Sequence, residues 1–140
     1  LNHWLVKSEP DAYSWNKFVQ EGKAVWDGVR NYQARNNLMA MKTGDQVLFY
    51  HSVIGKEVVG VAKVCREAYP DPTAGANSGT APTPWVVVEL EPLMPLPRPV
   101  TLAQLKAEPL LANLALLRQS RLSVMPIRPD EFECILALGC

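Results

Sequence analysis

The sequence predicts an α+β fold, a small mixed β-barrel of five to six strands with short helices packed outside it. Three observations carry that expectation. The order of segments is strand, helices, three strands, helices, strand, helix, which lacks the strict alternation of a doubly wound parallel sheet. The run Val58-Val59-Gly60-Val61-Ala62 is apolar on both faces and places small residues, Gly60 and Ala62, together on one of them. That pattern suits a central strand at the crowded interior or bend of a small barrel. The chain has 140 residues, 48% of them apolar, and no internal repeat, enough for one core and one domain over 1–140.

Each element follows from local chemistry. His3 to Ser8 alternates, with Trp4 and Val6 on one side, and Pro10 ends this first strand. Ser14 is placed to cap a helix running to Glu21, with Gly22 as its stop. Asn31 is a second N-cap, before a helix whose Ala34, Leu38 and Met41 form one apolar stripe. Gly44-Asp45 turns the chain into a strand from Gln46 to Ser52, and Gly55 turns it back into a long strand from Lys56 to about Tyr69.

Pro70 to Pro84 holds four prolines, two glycines and no large apolar side chain, and reads as a surface loop. Trp85 to Glu91 alternates again, with Val86, Val88 and Leu90 inward. A proline-rich turn is expected from Pro92 to Pro99. Thr101 then caps a short helix, and Pro109 separates it from another ending near Arg118. Leu122 to Ile127 reads as a last strand, and Pro129 opens a helix with Phe132, Ile135 and Leu136 facing inward.

Composition narrows the function. No apolar run approaches the ~20 residues that span a bilayer, and Leu1-Asn2-His3-Trp4 lacks the layout of a signal peptide. The missing initiator Met implies absent leading residues; a cytoplasmic location and no membrane partner are expected. Cys65, Cys134 and Cys140 form no CxxC pair, and neither they nor His3 and His51 have zinc spacing. No disulfide, metal or cofactor is expected. Net charge is zero, yet Lys23 to Arg66 holds seven basic residues against three acidic, and Arg98 to Arg128 five against one. Such asymmetry permits a local anionic partner and argues against a general polycation.

One stretch stands apart from the core pattern: Trp26-Asp27-Gly28-Val29-Arg30-Asn31-Tyr32-Gln33-Ala34-Arg35-Asn36. It crowds two aromatics, two arginines, an aspartate and three side-chain amides together. These offer flat faces for stacking and forked donors and acceptors for a planar polar ligand. A nucleobase is such a ligand.

That segment, with Lys7-Ser8-Glu9-Pro10 after Trp4, Tyr50-His51-Ser52 and Arg118-Gln119-Ser120-Arg121-Leu122-Ser123, resembles the motifs of the EVE domain family. The resemblance runs from Trp4 to Leu138. It implies a PUA-like fold related to the YTH readers of methylated adenine, a pocket for a modified base of DNA or RNA, and no established catalysis. The 70–84 loop lies outside those motifs.

The residues assign roles of their own. Trp26 is the first choice for a stacking platform, against the alternative of a core plug; Tyr32 and Tyr50 could complete a cage, though Tyr50 lies in a strand with one face to bury. Trp4 and Trp85 read as core or rim. Arg30 and Asn31, at a helix N-terminus, are placed to hold a phosphate, a base carbonyl or a buffer anion; alternatively Asn31 only caps the helix and Arg30 pairs with Asp27. Ser8, Glu9, Asp27, Ser52 and Ser120 offer short polar groups, the carboxylates as acceptors for an exocyclic amine. Arg35, Arg118 and Arg121 are candidates for the nucleic-acid backbone. His51 and Ser52, adjacent in a strand, point to opposite faces and form no catalytic pair; His51 reads as structural or as a ligand hydrogen-bonding group.

Two readings follow. The first is a non-catalytic module that takes a modified base of DNA or RNA into an aromatic and polar pocket. The second is an enzyme on a nucleotide-like or other small anionic metabolite, with Asp27, Glu9 or His51 as acid or base.

Overall fold

A computed structural model describes residues 1–74 and 83–140. Six strands form one sheet: β1 (His3–Ser8), β2 (Ala24–Trp26), β3 (Gln46–His51), β4 (Glu57–Pro70), β5 (Val86–Thr101) and β6 (Val124–Ile127), in the order β2-β5-β4-β3-β1-β6. β1 and β3 are parallel, and every other pair is antiparallel. Around the sheet lie α1 (Trp15–Glu21), α2 (Tyr32–Ala40), α3 (Leu102–Ala107), α4 (Ala115–Arg118) and α5 (Pro129–Leu138), with a 3-10 turn at Pro109–Leu111. The α+β class and the six strands are as expected. The sheet is not closed: β2 and β6 each have one strand neighbour among the described residues.

The helix starts follow their caps. Ser14, Asn31 and Thr101 accept from the backbone N–H groups of Lys17, Ala34 and Gln104, and Gly22 ends α1 at φ 76°. Ala34, Leu38 and Met41 are fully buried, as their stripe requires. β4 lies inside the sheet, and the small residue at 60 has a specific cause. A Cβ there would sit 2.5 Å from the Trp15 ring, so the missing side chain is what lets that indole lie on the sheet. Trp15 meets Phe49 edge-on, and Phe18 stacks on Phe49 at 5.3 Å.

Four expectations need correction. The sequence pattern announces no strand at β2, whose three residues are too few to show alternation. The Pro92–Pro99 stretch is strand rather than turn. β2 covers only Val88 to Leu90, so among the described residues the Pro92–Pro99 part of β5 has β4 as its one strand partner, and two of the four register slips against that partner fall there, where they absorb prolines. Upstream, Val87 is buried as fully as Val88, so β5 shows no clean alternation there. β6 begins at Val124, because Leu122 still donates to Gln119 in a turn.

Buried polar groups tie the pieces together. The Asp45 carboxylate accepts from the Trp4 indole (2.9 Å) and from the backbone N–H groups of Asn2 and Lys42. Burial pushes this carboxyl up, but those bonds outweigh it and hold the group below its ordinary value. Trp4 is therefore core, as anticipated. No described helix is long and apolar enough to cross a membrane.

Candidate functional site

A cleft of about 1290 Å³ is lined from both edges of the open sheet. One wall is β2 and the loop after it, Lys23 to Arg30; the other is the approach to β6, Ser120, Arg121 and Ser123. Lys7, Ser8 and Tyr50 contribute from β1 and β3, and Leu102 and Leu116 supply apolar surface from α3 and α4. The gap left by the unclosed barrel is thus the mouth of the cleft.

Trp26 lies on this surface, half-buried. Phe49 meets its ring at 5.7 Å and 81°, and Tyr13 at 6.3 Å and 76°. Two near-perpendicular contacts fix the plane of the indole while it still borders the cleft, an arrangement aromatic pairs favour. Tyr13 also lines the cleft, and its hydroxyl donates to Glu21 at 2.8 Å. Burial and that carboxylate push its phenol well above the ordinary range, so it stays protonated.

The loop after β2 is held by a residue from the 70–84 segment. Asp71 is buried, and its Oδ2 accepts from the Gly28 backbone N–H (3.1 Å) and from Arg30 (2.9 Å), while Thr73 donates twice to Oδ1. Burial pushes Asp71 up, but the bonds from Thr73, Arg30 and Gly28 prevail and hold it at about 2. Arg30 therefore pairs with Asp71, not Asp27. Of the 70–84 segment, residues 75–82 lie outside the described residues.

The cleft brings together Ser8, Glu9, Trp26, Asp27, Arg30, Tyr50, Ser52, Ser120 and Arg121. Tyr50 is nearly all buried, a floor residue more than a cage wall. Ser8 donates to the Tyr13 carbonyl at 2.5 Å, and Ser120 offers its backbone carbonyl to Lys7.

Five expected residues lie outside the lining. Asn31 spends its side chain on the α2 cap. The Tyr32 ring is exposed and packs on Trp85 at 4.7 Å, with the Arg35 guanidinium over the Tyr32 ring at 5.1 Å from its centre. Arg35 further donates to Asn36 and to the Pro84 carbonyl. Arg118 donates to the Ala112 carbonyl and to Asn113. His51 accepts the Trp15 backbone N–H at 3.0 Å, and burial lowers its pKa against the pull of Glu57, as suits a neutral acceptor. Its role in the fold is structural.

The sequence reading overlooked Lys7, Tyr13, Lys23, Lys56 and Asp71. Lys7 belongs to the Lys7-Ser8-Glu9-Pro10 motif. It is half-buried, donates to the Ser120 carbonyl at 2.6 Å, and among the described residues pairs with no carboxylate. Burial lowers its pKa. Around the cleft stand Lys7, Lys23, Lys56, Arg30 and Arg121 with Glu9, Glu21 and Asp27; Arg30 and Lys23 are paired with Asp71 and Glu89, so Lys7, Lys56 and Arg121 are the lining cations without a carboxylate partner among the described residues. Among the described residues no three His, Cys, Asp or Glu side chains cluster as a metal site would require.

A family model described as EVE domain matches residues 2–138. The chain belongs to that family. Human thymocyte nuclear protein 1 is 34% identical over 98% of this chain and 73% of its own length. The structure of human THYN1 in complex with 5-methylcytosine containing DNA superimposes with a TM-score of 0.91 at 33% identity, covering 99% of this chain and 98% of that one. Rpa0253 from Rhodopseudomonas palustris gives 0.90 at 46% identity, covering 99% and 93%. At 14% identity and a TM-score of 0.58, over 98% of this chain and 95% of that one, ASCH from Zymomonas mobilis shares the fold alone. The PUA-like architecture implied by the EVE motifs is the one observed.

Proposed function

We propose that this EVE domain is a non-catalytic binding module that takes one modified base of a nucleic acid into the cleft beside Trp26. The observation that carries the reading is the indole itself: its plane is set by Phe49 and Tyr13, and it borders an open cleft that also holds Lys7, Lys56 and Arg121. The THYN1 complex with 5-methylcytosine containing DNA supports the ligand class, and 5-methylcytosine in DNA is the first base to try.

In this reading Trp26 stacks on the base. Glu9 or Asp27 accepts from an exocyclic amine, as carboxylates do from cytosine N4. Ser52 completes the reading of the edge, and Arg30, anchored by Asp71, faces the base or its phosphate. Lys7, Lys56 and Arg121 neutralise the backbone of the entering strand.

The test is a titration of single-stranded oligonucleotides that differ in one 5-methyl group. Affinity for the methylated strand should exceed that for the plain one, and Trp26→Ala should cost about 1–3 kcal/mol and erase the preference. Equal affinity of the native domain for both, repeated across other base modifications, would end the modified-base reading.

A further inference from the structure

The turn between β3 and β4 has an unusual tip. Val53 and Ile54 are 63% and 51% exposed, and Val53 borders the cleft. The Ile54 backbone N–H donates to the Ser52 carbonyl at 2.7 Å across a Val53 φ of 68°. This is a γ-turn of the rare, strained kind, centred on a β-branched residue that seldom accepts positive φ. A turn built only to reverse the chain would place glycine there, as Gly55 does two residues later at φ 85°. The strained valine is held from both sides. Ser52 donates its N–H to the Ser8 carbonyl, and the Lys56 carbonyl accepts from Leu102, each at 2.9 Å.

A fixed apolar tip beside a base-sized cleft has a specific use. A base inside a duplex must leave the stack before any pocket can hold it, and the vacated step has to be filled or closed. Proteins that unstack duplexes insert apolar side chains between base steps. We infer that Val53 and Ile54 form a wedge that enters double-stranded DNA at the step from which the base is drawn. The inference rests on the reading proposed above. Charge supports the DNA as occupant: Lys56 stands on the cleft side of the tip with Lys7 and Arg121 across the same cleft. A smaller hollow at the tip is lined by Asp11 and by Glu9, which it shares with the cleft; these acids repel phosphate, so the strand's backbone runs toward Lys56 rather than over them.

The experiment uses one 5-methylcytosine oligonucleotide, single-stranded and as a duplex, against the native domain and the double variant Val53→Gly, Ile54→Ser. Glycine keeps the backbone angle while deleting the side chain, and an unchanged thermal midpoint confirms an intact fold. The variant should lose about tenfold in affinity for the duplex and at most about twofold for the single strand, where no stack is opened and only the Val53 edge of the cleft is lost. A 2-aminopurine placed beside the target should brighten on binding the native domain and much less on binding the variant. Equal loss on both forms, or no loss on the duplex, overturns the wedge. Failure of the native domain to prefer any modified single strand over the plain one, by contrast, overturns the modified-base reading itself.

Discussion

Asp71 and Arg30 meet at 2.9 Å, with the carboxylate fully buried and the guanidinium 38% exposed. Forty-one positions apart, they fasten the loop that follows β2 to the segment that follows β4. Replacing Asp71 with Asn would turn an acceptor of four N–H and O–H groups into one that presents its own donors to some of them. Stability should fall by about 2 kcal/mol in urea unfolding near neutral pH. The folded pKa of about 2 lies below the ordinary 3.8, so this contribution is complete above pH 3.8 and fades as pH drops toward 2. The gap between native and Asp71→Asn stability should narrow over that window. A gap that stays constant with pH would mean the charge is not what holds the loop.

Gly60→Ala should destabilise the domain by about 1–3 kcal/mol, through overpacking rather than backbone strain. The new methyl would collide with the Trp15 ring, which Phe18 and Phe49 hold in place and whose backbone N–H is bound to His51. A thermal midpoint equal to the native one would show that Trp15 can move aside freely.

Lys7→Met keeps the aliphatic stem and removes a desolvated charge, so folding stability should hold or rise slightly. Binding should suffer. If Lys7 meets a phosphate, the slope of log affinity against log salt for a single strand shrinks by about 0.7. Unchanged affinity and slope would place Lys7 outside the interface.

Much of the frame was legible in the residues because short-range chemistry writes it. Ser14, Asn31 and Thr101 cap helices at the positions where their side chains permit it, and Gly60 lies where a small residue was called for. What escaped was set by distance along the chain. Nothing near Arg30 names Asp71 as its partner, and nothing near Tyr13 says that its ring will abut Trp26. Neighbours in the motif also diverge once folded. Tyr32 and Arg35, three apart on α2, turn together toward Trp85 and Pro84, away from the cleft that Trp26 and Asp27 border. A polar-aromatic stretch thus announces a binding surface without saying which of its members face it.

Among the described residues β6 pairs only with β1, and the residues leading into it form one side of the cleft. Two stretches of chain more than a hundred positions apart must therefore dock before the cavity has its second side. A growing polypeptide that has not yet emitted residue 127 holds the tryptophan but not the chamber around it. Breaking that one β6–β1 pair should therefore cost ligand capture by the proposed site along with stability, so an assay of capture doubles as an assay of completed folding.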